Sequence, residues 1–239
     1  MAQPATPYPA STVVLVRPDP NGSFEILMNR RPEKMDTYAG VYVFPGGRVE
    51  ESDWSAEMIS LTCGLTPDAA QQQLGAQLQP ELCLGYWVAA VRELFEEMGI
   101  HFFLPRGGAV TDLMRQRIFT RLSERRSALQ RGEIGFPALL TSEQLFCDVA
   151  PLAYFYHRIT PEHYAVRFDT RFYLAALPAD QNPLHTSEEV SESLWVSAKE
   201  ALERSQNGNF PMMPPTLAVL RTLSSHATWS ELRDAFQLR

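Results

Sequence analysis

Three carboxylates within one helical turn are the residues of this chain best placed to do chemistry. The run AAVRELFEEMGI, Ala89 to Ile100, carries Arg92, Glu93, Glu96 and Glu97 and closes on Gly99. Glu93, Glu96 and Glu97 stand at i, i+3 and i+4, which puts them on one face of a helix. Trp87, Val91, Leu94, Phe95 and Met98 recur at the complementary positions and form an apolar stripe. One face therefore packs, while the other holds three like charges that repel unless a cation lies among them. Arg92 can neutralise one. The remaining excess suits a hard divalent cation, which takes oxygen ligands and negative charge from a fixed scaffold. Upstream, FPGGRVEESD at Phe44 to Asp53 follows a short strand-like run with two adjacent glycines, where backbone can approach a ligand closely.

These two pieces resemble the signature of the Nudix hydrolase superfamily: a glycine, five residues, an acid, seven residues, then Arg-Glu-apolar-x-Glu-Glu-x-Gly-apolar. Gly47 begins the pattern, Asp53 stands where the family has Glu, and Arg92 to Ile100 matches every fixed position of the second half. The middle departs from it. Between Asp53 and Arg92 lie 38 residues where the family has seven, an excess of 31. A box split in this way, together with RFDTRFYLAALP at Arg167 to Pro178, is similar to the branch that includes a peroxisomal coenzyme A diphosphatase.

The resemblance implies an α/β fold, the Nudix α/β/α sandwich with a mixed sheet, as a single domain over residues 1–239. Residues 54–85 would then form a helical insertion within the box, looped out beside the active site as a source of selectivity. It also implies water attack at phosphorus on a nucleoside diphosphate derivative, dependent on Mg²⁺ or Mn²⁺. By match to the motif, Glu93, Glu96 and Glu97 are the metal ligands, assisted by a backbone carbonyl at Gly46 or Gly47. Arg92 takes a positioning role, paired with Asp53 or Glu50. Asp53, one carbon shorter than the family's acid, suits holding the loop better than ligating an ion. A general base often comes from outside the box in this family; Glu188 and Glu189 stand in the acidic loop where it would lie, with Glu93 as the competitor.

The bulk composition is that of an ordinary globular chain: 239 residues, 45% apolar, 21% charged. Its net charge of −7 argues against nucleic-acid binding through bulk electrostatics. No apolar run approaches the roughly 20 residues of a membrane span. The opening MAQPATPYPASTVV has neither the basic nor the apolar region of a signal peptide, and the last three residues are not of the Ser-Lys-Leu type. The expectation is a cytoplasmic protein with a small-molecule partner, for which a homodimer is a compatible assembly. Cys63, Cys83 and Cys147 lack metal or disulfide spacing and read as reduced bystanders.

Several elements must position the carboxylates. STVVLVR (11–17) and FEILMNRR (24–31) read as strands joined by an Asp19-Pro20-Asn21-Gly22 turn, with VYVF as a third entering Pro45. Thr66-Pro67-Asp68 opens a helix to about Leu78, Pro80 punctuates, and the carboxylate helix begins near Tyr86. A further helix spans 112–131, and Thr141-x-x-Gln144 predicts another from Leu140 to Val149. LAYFYHRIT and RFYLAAL read as adjacent strands, and SLWVSAKEAL as a strand running into a helix. A helix from Thr216 follows, and Thr228-x-x-Glu231 caps the last one.

For the substrate, Arg30, Arg31 and Arg48 are the cations nearest the glycine turn. Unsplit coenzyme A pyrophosphatases show a motif before FPGG to which Arg31 and Gly40 correspond, while Asp36 and Tyr38 replace its arginine and histidine. The arginines of helix 112–131 read as a charged solvated face rather than a grip on a 3′-phosphate. His157, His163 and His185 show no ligand spacing. Phe210-Pro-Met-Met-Pro-Pro-Thr either lines a pocket for a pantetheine arm or is a plain helix-entry loop. The leading reading is a diphosphatase of coenzyme A or acyl-coenzyme A. The alternatives are an ADP-ribose-like or nucleotide-sugar substrate, and a non-catalytic Nudix ligand-binding regulator, whose usual mark is a lost box carboxylate.

Overall fold

The computed structural model describes residues 5–34, 39–107, 112–184 and 190–238. In chain order these form β1 (Tyr8–Pro18), β2 (Phe24–Arg30), β3 (Tyr42–Val43), β4 (Gly46–Arg48), a 3-10 turn (Glu51–Trp54), α1 (Ala56–Ser60), β5 (Thr62–Cys63), α2 (Pro67–Leu74) and α3 (Pro80–Met98). There follow β6 (Phe103–Pro105), α4 (Asp112–Gln130), α5 (Phe136–Ser142), β7 (Leu145–Asp148), β8 (Ala153–Ile159), β9 (Phe168–Ala176), β10 (Glu192–Val196), α6 (Ala198–Gln206), α7 (Pro214–Leu223) and α8 (Trp229–Phe236).

The main sheet is mixed. Its order is β10-β2-β1-β9-β8, with β3 on β2 and β4 on β1. β1 and β9 run parallel over nine residue pairs, and the other pairings are antiparallel. Alternation along β1 sends Val13 and Leu15 to one face and Val14 and Val16 to the other. Val13 and Leu15 pack under α3 with Trp87, Val91, Leu94, Phe95 and Met98, all buried. Val14 and Val16 pack with Val219, Leu220 and Leu223 of α7 and Leu232 of α8. Helices thus cover both faces of one sheet, the α/β/α arrangement expected.

The carboxylate helix begins earlier than Tyr86. Pro80 is its first residue, with Gln79 as N-cap, because proline's fixed φ suits the first helical position and its missing N–H is not needed there. It ends at Gly99, whose φ of 71° is the left-handed C-terminal conformation that glycine adopts without penalty. α2 stops at Leu74 rather than Leu78, because Gly75 leaves the helix at φ 106°. The predicted helix from Leu140 to Val149 is wrong. α5 starts at Phe136 and ends at Ser142, Gln144 sits at φ 55°, and Leu145–Asp148 is a strand. Alternate burial of Leu145 and Cys147 draws that segment into a small sheet of order β5-β7-β6, which outweighs the capping signal.

The insertion is not looped out. β5 pairs with β7, and Met58, Leu61, Ala70, Cys83 and Leu84 are buried in the same core as α3. Its apolar residues need a partner, and the nearest is the box helix itself. Trp54 lies so close to Gly85 that a Cβ there would stand 2.8 Å from the Trp54 Cβ.

That contact predicts the effect of Gly85→Ala. Alanine gains about 1 kcal/mol of helix propensity, but overpacking against a backbone-anchored Cβ costs about 1–3 kcal/mol. The thermal midpoint should therefore fall by about 3 °C; a rise would show that the start of the insertion does not pack on α3 there. His101 supplies a pH prediction. Burial, opposed by Asp180, lowers its imidazole from 6.5 to about 4. Between those values the unfolded chain binds a proton that the folded chain refuses, so this residue removes stability as pH falls from 6.5 towards 4. His101→Phe, which keeps a ring beside Phe95 and Phe103, should flatten that acid loss by up to about 3 kcal/mol in urea titrations. An unchanged slope would place the loss elsewhere.

Candidate functional site

The site is built where β4 meets the last turns of α3. β4 is pinned to β1 by pairing of Thr12 with Gly46 and Ser11 with Gly47, and by the Val13 amide donating to the Pro45 carbonyl. Gly46 has no room for a side chain: a Cβ would lie 2.7 Å from the Thr12 Cα. At Gly47 a Cβ would run into the Glu93 carboxyl, 2.5 Å from its Cδ. Gly46 therefore lets β4 lie close against β1, and Gly47 lets the strand touch the Glu93 carboxylate. The Gly46 amide donates to Glu97 Oε1 at 3.4 Å.

Arg92 ties the halves of the split box together. Its Nε donates to Asp53 Oδ1 at 2.8 Å and its Nη2 to Asp53 Oδ2 at 2.9 Å, a bidentate pair with side chains 4% and 0% exposed. Nη2 also donates to the Arg48 carbonyl at 2.8 Å. Asp53 in turn accepts from the Glu50 amide at 2.8 Å and closes the 3-10 turn. Arg92 thus acts on the loop through Asp53. Every oxygen of Asp53 is engaged in that task, which is the loop-holding role its short side chain suits.

The remaining nitrogen of Arg92 faces the carboxylates. Nη1 donates to Glu93 Oε1 at 2.8 Å and to Glu96 Oε1 at 3.4 Å. This guanidinium stands among the carboxylates, and among the described residues no group of three or more acidic, His or Cys side chains is arranged to hold an ion. The donor chemistry nonetheless fits a hard cation. Burial, opposed by Arg92 and reinforced by Glu96, pushes the Glu93 carboxyl up to about 7, and burial also raises Glu96. These are carboxylates short of positive charge, and a dication beside them favours their ionised form.

Next to the glycines lies a cavity of about 300 Å³, lined by Thr12, Gly46, Gly47, Arg31, Arg48, Phe168 and Thr170, with Ala10 at its floor. Arg31 Nε is buried and makes no hydrogen bond among the described residues. The Arg48 guanidinium lies 4.1 Å over the Tyr8 ring and 5.8 Å from that of Phe168. Arg30 is the exception among the three predicted cations. It donates to Glu33 at 2.6 Å and to the Gly40 carbonyl, and it does not line the cavity. Glu188 and Glu189 lie outside the described residues, as do Asp36, Tyr38 and His185. Among the arginines of this stretch whose side chains are described, Arg121 and Arg125 pair with Glu143 and Arg131 with Glu133. Phe210 is fully buried and stacks on Tyr42 at 3.6 Å, so its loop serves the core. Sequence reasoning missed Thr12, Thr170 and Phe168: Thr12 was a polar residue inside a strand read as core, while Phe168 and Thr170 precede the strand read from Arg171.

Residues 6–223 match the family described as the NUDT19 Nudix domain. The chain is 30% identical over 251 residues to the acyl-coenzyme A diphosphatase NUDT19 of Gallus gallus, an alignment covering 90% of this chain and 65% of that protein. Its counterpart in Xenopus laevis is 26% identical, covering 87% and 62%. The chain therefore spans a little under two thirds of the length of these curated relatives. Among solved structures, a Nudix hydrolase from Alicyclobacillus acidocaldarius is similar with a TM-score of 0.70 at 27% identity, covering 95% of both chains. The matched span takes in β1, the glycine turn, the woven insertion and the carboxylate helix, and on that ground the chain belongs to the NUDT19 Nudix domain family, one of the Nudix hydrolases that generally use divalent metal ions.

Proposed function

We propose that this chain hydrolyses the diphosphate linkage of coenzyme A or an acyl-coenzyme A, with Mg²⁺ or Mn²⁺ at the Glu93–Glu96–Glu97 face. One observation carries the reading: the carboxylate turn and the cavity bearing Arg31 and Arg48 share the same Gly46–Gly47 wall. A diphosphate lying there would meet carboxylate-held metal on one side and guanidinium donors on the other. The names of the family and of its matched relatives support the coenzyme A end of this reading. The reading takes the two cores around one sheet as a single Nudix domain.

The metal, when bound, supplies charge neutralisation of the diphosphate and acidifies a water. Glu93, Glu96 and Glu97 would hold it, with the Gly46 carbonyl assisting. Arg31 and Arg48 donate to phosphate oxygens, for which a planar guanidinium suits bidentate contact. Stacking on Tyr8 fixes the plane of Arg48 before substrate arrives. Glu93, whose carboxyl burial pushes up and a bound dication would keep ionised, is the described carboxyl suited to take the proton of the attacking water. Glu188 or Glu189 would be the acceptor if that proton leaves by the loop. Water adds across one P–O–P linkage, giving a 4′-phosphopantetheine product and adenosine 3′,5′-bisphosphate.

Purified protein offered coenzyme A, acyl-coenzyme A, ADP-ribose and a nucleotide sugar, with and without Mg²⁺ or Mn²⁺, should turn over the coenzyme A species and only with metal. Turnover of ADP-ribose alone would replace the substrate and keep the chemistry; no turnover of any diphosphate would favour a binding module. Glu96→Gln and Glu97→Gln should each lower kcat by at least about 100-fold, with the circular dichroism spectrum and Tm of the parent. Full activity in either variant removes the metal assignment.

A further inference from the structure

The carboxylate turn lies at the C-terminal end of α3, where helix electrostatics oppose it. Aligned peptide dipoles leave about half a negative charge at a helix C-terminus, and the last carbonyls have no partner within the helix. Here that end bears Glu93, Glu96 and Glu97, and its last turn contains no basic residue. A donor for this end has to come from elsewhere in the chain.

It comes from α4. Arg126 Nη1 donates to the Glu96 carbonyl at 2.6 Å, and Gln130 Nε2 donates to the same oxygen at 2.7 Å. The two residues are four apart and share one face of α4. α4 is itself fixed, by buried Leu122 and Leu129 and by Arg121 and Arg125 on Glu143, whose side chain is 3% exposed. On either side of Glu96 the backbone is also tied. The Gly99 amide donates to the Phe95 carbonyl and the Leu184 amide to the Met98 carbonyl, each at 2.9 Å. The peptide that carries Glu96 and leads into Glu97 is thus held by side chains from an element 30 and 34 residues downstream.

We propose that Arg126, assisted by Gln130, is a positioning residue for the metal face, fixing the Glu96 peptide so that the Glu96 and Glu97 carboxylates present together. The proposal rests on the metal-dependent reading above. Arg126 touches backbone, not substrate or ion, so its loss should appear in metal affinity. Its charge would by itself repel a dication, so removing it could tighten binding through electrostatics. Loss of an outer partner of a metal ligand costs roughly 10- to 100-fold in affinity, and that effect should prevail over a charge screened by solvent on one side.

The test is Mn²⁺ binding without substrate, read as the free-ion signal in electron paramagnetic resonance titrations. Arg126→Met should bind Mn²⁺ about tenfold more weakly, and Arg126→Lys, which keeps a donor, should recover most of it. At saturating metal, the KM of Arg126→Met for substrate should stay within about twofold while kcat falls. Gln130→Leu, an exposed position, leaves charge unchanged and should weaken binding in the same direction, so it carries the test if Arg126→Met does not fold. Parent-like or tighter Mn²⁺ binding in Arg126→Met, or in Gln130→Leu as its substitute, overturns the proposal while leaving the metal reading intact. Absence of Mn²⁺ binding by the parent protein overturns both.

Discussion

The buried pair of Arg92 and Asp53 is the contact on which the site depends. Two charges removed from water are costly to desolvate, and the pair is tolerable because both oxygens of Asp53 and all three nitrogens of Arg92 are used. The pair does what a short loop does in an unsplit box. Thirty-eight residues separate its members, yet the 3-10 turn and the second-last turn of α3 are held edge to edge. With Nε and Nη2 committed to the loop, Nη1 alone is left to face Glu93 and Glu96. The same guanidinium therefore sets the loop and tempers the carboxylates.

Around that pair the molecule concentrates unfavourable features that only a polyvalent ligand relieves. Three acids stand at the negative end of a helix, all partly buried, with the carboxyls of Glu93 and Glu96 pushed upward. Beside them Arg31 keeps a buried nitrogen without a hydrogen bond among the described residues, and two glycines forgo side chains, Gly46 against β1 and Gly47 against Glu93 of α3. Each is a local cost that packing elsewhere offsets, through the apolar stripe of α3 on one sheet face and α7 and α8 on the other. Strain and electrostatic excess gathered in one place are what a preorganised site requires.

Much of this was legible in the sequence, and the failures have identifiable causes. The register of the carboxylate helix followed from the spacing of Trp87, Val91, Leu94, Phe95 and Met98, because burial of a stripe is a periodic signal. Its start did not, because Pro80 reads equally as a breaker or as the first helical residue. Thr141-x-x-Gln144 imitated a capping box, but Gln144 adopts a positive φ and the following residues were claimed by a sheet whose partners lie far away in sequence. The insertion was read as an excursion since nothing local shows that Thr62 and Cys63 pair with Cys147 and Asp148. The Glu96 carbonyl's partners were hidden for the same reason: backbone acceptors carry no sequence signature. Arg92 with Asp53 was within reach, since a buried arginine on a helix that otherwise packs needs an acid.

The most direct test of this account is a double-mutant cycle on the pair, using Asp53→Asn, Arg92→Met and the combination, with stability read from urea unfolding. If the pair joins the two halves of the box, each single change should be severe and the combination should recover a coupling of at least about 2 kcal/mol. Additivity within about 0.5 kcal/mol would mean that the halves are held together by packing alone, and would contradict it.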